Sequence, residues 1–201
     1  MKSKKVLLLL NGEVPHAFPA VDGYDLVCAT DGAYWTLKKH DITPDFINGD
    51  LDSLKESPEN IEIIHTPDQD YTDFDKILDI LFNKGYNCID VFGASGKEQD
   101  HFLGNLHTAV HWRNKLDLVF FDNHGYYFLA TPYTKIEMSK GKTISLVPMH
   151  EAKGVKTTGL QYPLKNETLI FGQRIGTRNK AISNLVEIHF KKGNLFIFVN
   201  D

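Results

Sequence analysis

Acidic side chains follow several short apolar segments of this chain, and their spacing suggests metal-assisted phosphate chemistry. Asp50 and Asp52 stand two residues apart, directly after an apolar segment that ends at Gly49. Asp31 follows an earlier apolar segment, and Asp73 lies in an acid-rich stretch after a later one. Carboxylates are protein ligands of Mg²⁺, which commonly bridges them to substrate phosphates. Any one of these acids could instead cap a helix or solvate a turn, but together they favour a cation and phosphate site.

A turn of small residues, Gly93-Ala94-Ser95-Gly96, leads through Lys97 to a predicted helix. Small residues let backbone amides approach an anion, and a helix N-terminus favours negative charge. The dinucleotide fingerprint GxGxxG is absent, so the turn is either a phosphate contact or a plain strand-to-helix connection. Asp100 and His101 stand where this helix begins. The pair could supply a ligand or a general base, although such pairs are often structural.

Strands and helices alternate through residue 121, which predicts a doubly wound, mostly parallel α/β sheet. The predicted strands cover 6–10, 26–29, 46–47, 61–65, 88–92 and 118–121, with a partner strand at 127–129, and the predicted helices cover 33–39, 72–85 and 99–114. In such sheets ligands bind beyond the carboxyl ends of the strands. The acid- and glycine-bearing turns all follow strands at that edge, so we expect the acids to converge there.

The pattern changes at about residue 133. Short alternating or apolar segments at 136–138, 143–147, 168–171, 186–190 and 195–199 are separated by turns of Gly, Asn and Lys, without a helical period. This pattern predicts an antiparallel β sandwich. We therefore expect two domains, an α/β domain over 1–132 and a β domain over 133–201.

Composition excludes several classes of protein. The chain has 201 residues, 42% of them hydrophobic, and a net charge of -4, which describes a folded globule without the basic surface that nucleic acid requires. The two cysteines, Cys28 and Cys88, form no CxxC pair, and the nine histidines form no HExxH motif. The apolar segment 6–10 is too short for a signal peptide or a membrane span. We expect a cytoplasmic protein that binds neither nucleic acid nor membrane.

Taken in order, the motifs resemble those of the thiamin pyrophosphokinase family. They are TDGA at 30–33, GDLDS at 49–53, DQDYTD at 68–73 and GASG at 93–96, followed by Asp100 and His101. The second half adds GLQYPL at 159–164 and ISN at 182–184, so the resemblance covers nearly the whole chain.

The resemblance implies an ATP-binding α/β domain and a β sandwich that contributes to a thiamin site. It implies transfer of a diphosphate from ATP to the hydroxyl of thiamin, which yields thiamin diphosphate and AMP with Mg²⁺ as cofactor. It also implies a homodimer whose active sites lie at the subunit interface.

The resemblance also assigns residues to these roles. Asp31, Asp73 and Asp100 match catalytic acids, Asp50, Asp52 and Asp73 match metal ligands, and Ser183 and Asn184 match a pair beside the thiamin pyrimidine. The residues expected to bind ATP are Asn11, Gly12, Gly32, Gly49, Gln69, Thr72, Gly93, Ser95, Gly96, Lys97 and His101. Either Asp31 or Asp73 could orient the thiamin hydroxyl or accept its proton, and the sequence does not choose between them.

Two positions depart from the family pattern. Ala33 replaces a common glycine, and Glu98 stands where relatives carry an arginine that could grip phosphates. Lys97 could supply the missing positive charge, as could Arg174, Arg178 or Lys180 from the β domain. Two other functions therefore stay open, a nucleotide- or thiamin-binding protein without transfer activity and a Mg²⁺-dependent phosphohydrolase.

Overall fold

The structure of the protein, a computed structural model, describes residues 4–51, 58 and 60–201. The chain forms two compact units, Met1–Asn123 and His124–Asp201. The sequence placed the division after residue 132. The structure places it earlier because the strand at Gly125–Leu129 pairs with the C-terminal strand of the second unit.

The first unit is a parallel sheet with helices. Its strands are β1 (Lys5–Leu9), β2 (Leu26–Thr30), β3 (Phe46–Gly49), β4 (Glu62–His65), β5 (Cys88–Phe92) and β6 (Asp117–Asp122), and its helices are α1 (Tyr34–Lys39), α2 (Asp73–Asn83) and α3 (Gln99–Trp112). The strand order is β4-β3-β2-β1-β5-β6, and every pair within it is parallel. The predicted α/β sheet is confirmed.

The core of this unit forms because most side chains of its central strands are apolar. Leu7, Leu8 and Leu9 of β1 are 0% exposed, as expected for a parallel strand that is covered on both faces. Helix α2 buries Ile77 and Leu81 on its apolar face. These elements hold the strand ends that carry the acidic residues.

The strand order places a topological switch beside β1. From β1 the chain runs outward to β4 on one side, and it returns to β5 and β6 on the other. In open α/β sheets the crevice at such a switch is the usual ligand site. The segments that follow β1 and β5 therefore stand at the position where a ligand is expected.

The second unit is antiparallel throughout its paired strands. These are β7 (Gly125–Leu129), β8 (Tyr133–Glu137), β9 (Thr143–Thr158), β10 (Lys165–Ile170), β11 (Gly176–Lys180), β12 (Leu185–His189) and β13 (Lys192–Asn200). The order is β7-β13-β9-β12-β8, with β10 and β11 paired to β9. The core contains Ile144, Val155, Ile188 and Leu195. The predicted antiparallel β domain is confirmed.

The largest differences from the sequence prediction are in β9 and β11. The strand predicted at 143–147 continues to Thr158 as β9. Residues 143–153 of β9 pair with β13, and residues 151–156 pair with β10. Strand β11 was not predicted, since its sequence GTRNK has no apolar alternation. It forms because its backbone pairs with the start of β9, so main-chain hydrogen bonds define it rather than side-chain burial.

The two cysteines are unpaired, as the sequence analysis expects. Cys28 is buried in β2, Cys88 is half-buried at the start of β5, and both are free thiols. In the part of the chain that the structure describes, no helix is long and apolar enough to cross a membrane.

Candidate functional site

A cavity of about 640 Å³ opens at the carboxyl ends of the strands of the first unit. Its walls come from the ends of β1, β2 and β3, from the start of α2, and from the turn that leads from β5 into α3. The lining residues are Leu10, Asn11, Gly12, Thr30, Asp31, Asp50, residues 69–74, Lys76, Gly93, Ala94, Gly96, Lys97, Glu98, Asp100, His101, Gly104 and Asn105. The sequence elements expected to converge at this edge therefore share one cavity.

Most of the residues expected to act in the site line this cavity. They are Asn11, Gly12, Asp31, Asp50, Gln69, Thr72, Asp73, Gly93, Gly96, Lys97, Asp100 and His101. Gly32, Gly49 and Ser95 are not lining residues, although each adjoins one in the chain. Ser183 and Asn184 lie in the second unit, as do Arg174, Arg178 and Lys180. Asp52 lies outside the described residues.

Asp31 is the buried acid of the cavity, with 4% of its surface exposed. Its carboxylate accepts hydrogen bonds from the backbone N–H of Gly32 at 2.6 Å and of Leu51 at 3.0 Å. Leu51 has a left-handed backbone with φ of 72°, which turns the chain immediately after Asp50. The carboxylate is therefore held from two sides.

Burial raises the pKa of Asp31 above its ordinary value, and the negative charges of Asp73 and Asp50 raise it further. The hydrogen bonds from Gly32 and Leu51 act in the opposite direction and lower the pKa. Because the shift is upward, Asp31 binds a proton more tightly than an exposed aspartate does. A carboxylate of this kind is a stronger base.

Gly49 permits the close approach of Asp31 to β3. A Cβ atom at position 49 would lie 2.5 Å from Cγ and 2.6 Å from Oδ2 of Asp31. Gly32 has a similar role, since a Cβ atom there would lie 2.5 Å from Nδ2 of Asn11. These glycines shape the wall of the cavity through the space they leave.

Position 33 does not require a glycine in this structure. Its φ of -83° and ψ of -20° are ordinary right-handed values, and its side chain is buried. This departure from the family pattern therefore imposes no backbone strain.

The segments after β1 and β5 are joined by backbone hydrogen bonds. The N–H of Gly12 donates to the carbonyl of Gly93 at 2.7 Å, and that of Glu13 donates to the carbonyl of Ser95 at 2.7 Å. A Cβ atom on Gly12 would overlap both carbonyl oxygens, and Gly93 has a φ of 67°. The turn is therefore constrained by backbone contacts that only glycine permits.

Helix α3 begins at the cavity. Its N-cap residue Glu98 makes no side-chain capping hydrogen bond, and its carboxylate instead lies 3.7 Å from Nε2 of His101. The carboxylate of Asp100 accepts the backbone N–H of His101 at 2.9 Å. The positive end of this helix favours an anion, but Glu98 places a negative charge beside it.

Lys97 brings a positive charge to the junction of the two glycine-containing segments. Its Nζ donates to the backbone carbonyl of Asn11 at 2.6 Å and to Oδ1 of the same residue at 3.1 Å. The side chain is exposed. Lys97 therefore places an exposed positive charge at the wall of the cavity.

The start of α2 carries a second set of polar contacts. Thr72 caps the helix by accepting the backbone N–H of Asp75 at 3.2 Å, and Oδ1 of Asp73 lies 2.9 Å from Nζ of Lys76. Gln69 donates through Nε2 to Oδ2 of Asp50 at 3.2 Å. Thr72 thus caps the helix, and the Asp73 side chain is not needed as the cap.

Lys76 and Asn105 are among the lining residues that were not assigned to the site from the sequence. Lys76 stands three residues after Asp73 in a predicted helix, and this spacing could have suggested their ion pair. Asn105 donates to the carbonyl of Ala94 at 2.8 Å and supports the turn after β5. No local pattern signals that contact, because its partner lies in another element.

Among residues 4–51, 58 and 60–201, no three His, Cys, Asp or Glu side chains form a group that could hold a metal ion. The predicted set of Asp50, Asp52 and Asp73 is incomplete here, since Asp52 lies outside the described part of the chain. The metal assignment stays a prediction.

Comparison with known families identifies both units. Residues 20–120 match a family model described as thiamin pyrophosphokinase, catalytic domain, and residues 133–195 match thiamin pyrophosphokinase, vitamin B1 binding domain. All cavity-lining residues from Thr30 onward lie in the first of these segments.

Individual proteins give the same result. The chain is 29% identical to thiamine pyrophosphokinase of Bacillus subtilis over 208 residues, which cover 96% of this chain and 97% of that protein. It is 33% identical to thiamine pyrophosphokinase 3 of Oryza sativa subsp. japonica over 154 residues, 68% of this chain and 58% of that protein.

Solved structures match across the whole chain. The crystal structure of the Bacillus subtilis thiamine pyrophosphokinase aligns with a TM-score of 0.85 at 25% identity, covering 98% of this chain and 99% of that one. The yeast thiamin pyrophosphokinase aligns with a TM-score of 0.86 over 100% of this chain and 87% of that one. At 18% identity the yeast structure supports the fold alone.

Proposed function

Because the chain belongs to the thiamin pyrophosphokinase family, we propose that it transfers a diphosphate group from ATP to the hydroxyl of thiamin, giving thiamin diphosphate and AMP. The observation that carries this proposal is the cavity in the catalytic segment. It combines the buried Asp31 with Asp50 and Asp73, and it includes the glycine turn at the start of α3.

The reaction forms a bond from the thiamin hydroxyl oxygen to the β-phosphorus of ATP. The bond between that phosphorus and the oxygen bridging to the α-phosphorus breaks, AMP leaves, and the hydroxyl proton passes to a base. Asp31 suits this role because its raised pKa makes it the stronger proton acceptor. Asp73, which is paired with Lys76, and Asp100 at the start of α3 are assigned to orienting the reactants.

The glycine-containing segments are assigned to the phosphates of ATP. Gly12, Gly93 and Gly96 leave room for close backbone approach, and α3 begins directly beside them. Lys97 adds an exposed ammonium group at the same place. Positioning and electrostatic stabilisation are the main contributions that a protein makes to phosphoryl transfer.

We propose Mg²⁺ as the cofactor. The charges of Asp73 and Asp50 both raise the pKa of Asp31, so these acids are close enough to repel, and a cation would offset that repulsion. Asp50, Asp73 and the undescribed Asp52 would hold the ion. Mg²⁺ bound there would withdraw negative charge from the phosphate oxygens during transfer.

Ser183 and Asn184 are proposed to contact thiamin. They lie between β11 and β12, within the segment that matches a vitamin B1 binding domain. Ser139 holds this turn, because its N–H donates to the carbonyl of Asn184 at 3.2 Å and its hydroxyl donates to that of Ser183 at 3.0 Å. We further propose a cytoplasmic homodimer whose active sites lie at the subunit interface.

Ser183→Ala is expected to raise the KM for thiamin about 5- to 10-fold, the loss typical of one hydrogen bond. The fold should persist, because among the described residues the Ser183 hydroxyl makes a single long contact, accepting the Leu185 N–H at 3.3 Å. Steady-state kinetics with each substrate varied in turn will test this. The KM for ATP serves as the internal control, and equal losses for both substrates would contradict the assignment.

Glu98→Arg is expected to lower the KM for ATP several-fold. The change replaces a carboxylate at the positive end of α3 with a guanidinium group, which binds phosphate oxygens through parallel hydrogen bonds. Asp79→Arg makes the same charge change at an exposed site of α2 away from the cavity and is the matched control. A KM that falls equally in both variants would show a general charge effect and contradict the specific role of Glu98.

One assay separates the proposed reaction from its alternatives. Purified protein is incubated with ATP, Mg²⁺ and thiamin, and nucleotides and thiamin esters are quantified. Equal amounts of AMP and thiamin diphosphate support the transferase. Phosphate release without thiamin would identify a phosphohydrolase, and thiamin binding without turnover would identify a binding protein.

A further inference from the structure

We propose that Lys76 is a positioning residue of the transfer site, one that holds the Asp73 carboxylate and the backbone after β4 in place. This inference rests on the proposed function for its kinetic consequence. The contacts by which Lys76 holds these groups do not depend on the reaction and can be tested on the ligand-free protein.

The Lys76 ammonium group is surrounded by oxygen atoms of the protein. Its Nζ lies 2.9 Å from Oδ1 of Asp73, and it donates to the backbone carbonyls of Thr66 at 2.9 Å and Asp68 at 2.8 Å. Only 10% of the side chain is exposed. An ammonium group has three N–H donors and no acceptor, so these three oxygens use its full donor capacity.

Lys76 differs in its donor use from Lys97, the other lysine that lines the cavity. Among the residues that the structure describes, the exposed Lys97 contacts two oxygens, both of them in Asn11, which leaves one of its three N–H donors for a phosphate. Lys76 could reach a phosphate only by giving up a protein contact. We therefore assign it an effect through the groups it holds, not through substrate.

The groups that Lys76 holds belong to two separate segments. Asp73 is the first residue of α2, whereas Thr66 and Asp68 lie in the connection that leaves β4. That connection continues directly to Gln69, whose amide donates to Asp50. The Lys76 ammonium group thus contacts the Asp73 carboxylate directly, and it supports the segment whose Gln69 contacts the Asp50 carboxylate.

The low exposure of Lys76 increases the effect of its charge. The cavity is lined by several carboxylates, and Lys76 places a positive charge among them away from bulk water. Charges interact more strongly where solvent is excluded. Losing the ammonium group would leave the Asp73 carboxylate without this partner and the carbonyls of Thr66 and Asp68 without these donors.

The test compares Lys76→Met, Lys76→Arg and the control Lys84→Met. Methionine keeps much of the length and apolar volume of lysine but removes its charge and donors, whereas arginine retains the charge. Lys84, at the other end of the same helix, is exposed and lies 3.9 Å from Glu62. Its substitution removes the same charge without affecting the cavity.

The first measurement is hydrogen exchange in the ligand-free protein. In Lys76→Met we expect faster exchange at residues 66–70, where the N–H of Thr66 donates to Gly49 and that of Asp70 donates to Asp68. Exchange in β5 and in the control variant should match wild type. Unchanged protection of residues 66–70 in a folded Lys76→Met would overturn the proposal, whatever reaction the protein catalyses.

The second measurement is kinetic and includes Asp73→Asn. We expect Lys76→Met to lower kcat about 10-fold or more at saturating substrates, because small displacements of positioned groups cost that much or more. Lys76→Arg should recover part of the loss. Adding Lys76→Met to Asp73→Asn should cost less than it does in wild type, because Asp73→Asn already removes the ion pair and leaves only the contacts to Thr66 and Asp68 to be lost.

The outcomes of these measurements either support or contradict the positioning role of Lys76. Additive losses in the double variant, or wild-type kcat in Lys76→Met, would overturn the positioning role. If Lys76→Met does not fold, the same cycle with Lys76→Arg provides the decision. If wild type produces no thiamin diphosphate, the proposed function fails, and hydrogen exchange alone decides whether Lys76 holds the segment.

Discussion

Asp31→Asn is expected to reduce kcat about 10³-fold while the protein remains folded, since loss of a positioned general base typically costs 10²- to 10⁴-fold. Asparagine has nearly the same shape, but it cannot accept the hydroxyl proton. Its single amide oxygen can also accept only one of the two backbone N–H groups, of Gly32 and Leu51, without rotation. Product formation is measured at saturating ATP, Mg²⁺ and thiamin, with circular dichroism to verify the fold.

Asp117→Asn is the matched control for this change. Asp117 is exposed at the start of β6 and does not line the cavity, so we expect activity close to that of wild type. Retention of more than a tenth of wild-type kcat by Asp31→Asn would rule out Asp31 as the base. Asp73 would then be the remaining candidate.

The raised pKa of Asp31 also predicts how pH affects the stability of wild type relative to Asp31→Asn. A group whose pKa is higher in the folded than in the unfolded state stabilises the fold most at pH values below its unfolded pKa, which for Asp31 is near 3.8. This stabilisation is lost as pH rises through the folded-state pKa. Wild type should therefore lose stability relative to Asp31→Asn as pH rises above about 4. Melting temperatures of both proteins across this range test the sign, and a difference independent of pH would contradict the shift.

Gly49→Ala is expected to reduce kcat about 10²-fold and to destabilise the fold by about 1–3 kcal/mol. A Cβ atom at this position would lie 2.5 Å from Cγ of Asp31, which is far inside contact distance. Asp31 is buried and hydrogen-bonded, so its carboxylate cannot move away without losing the Gly32 or Leu51 contact. Kinetics and denaturant unfolding measure the two effects.

Gly23→Ala provides the control for Gly49→Ala. A Cβ atom on Gly23 would meet no atom within 4 Å, so the same chemical change should leave both activity and stability near wild type. If Gly49→Ala behaved like this control, the close packing of β3 against Asp31 would have no functional importance.

The two predictions concern one arrangement of two strand ends. Asp31 follows β2, Gly49 ends β3, and Leu51 closes the turn after it. Parallel pairing of β2 with β3 sets Thr30 beside Asn48, which brings the acid and the glycine together. The catalytic proposal therefore depends on strand register as well as on residue identity.

Much of this arrangement was accessible from the sequence because it depends on local patterns. Continuous apolar segments predict buried parallel strands, and the residues after them must lie at one edge of the sheet. Asp31, Asp50 and the turn at Gly93 follow such segments, so the sequence predicts that they lie near one another. The motif order then indicated the family.

Other features could not be predicted in this way, because they depend on partners distant in the sequence. The strand β11 forms through backbone pairing with β9, and the length of β9 depends on partners along both of its edges. The three oxygens around Lys76 include two backbone carbonyls, which no side-chain pattern identifies.

The sequence by itself determined the fold class, the family and the acids available for chemistry, because periodicity and motif spacing are properties of neighbouring residues. Only the tertiary structure distinguished those acids from one another. Burial and neighbouring charge raise the pKa of Asp31, whereas Asp73 is paired with Lys76. The pKa of an acid depends on the solvent, charges and donors around it, and for Asp31 those include groups that meet it only when the chain folds.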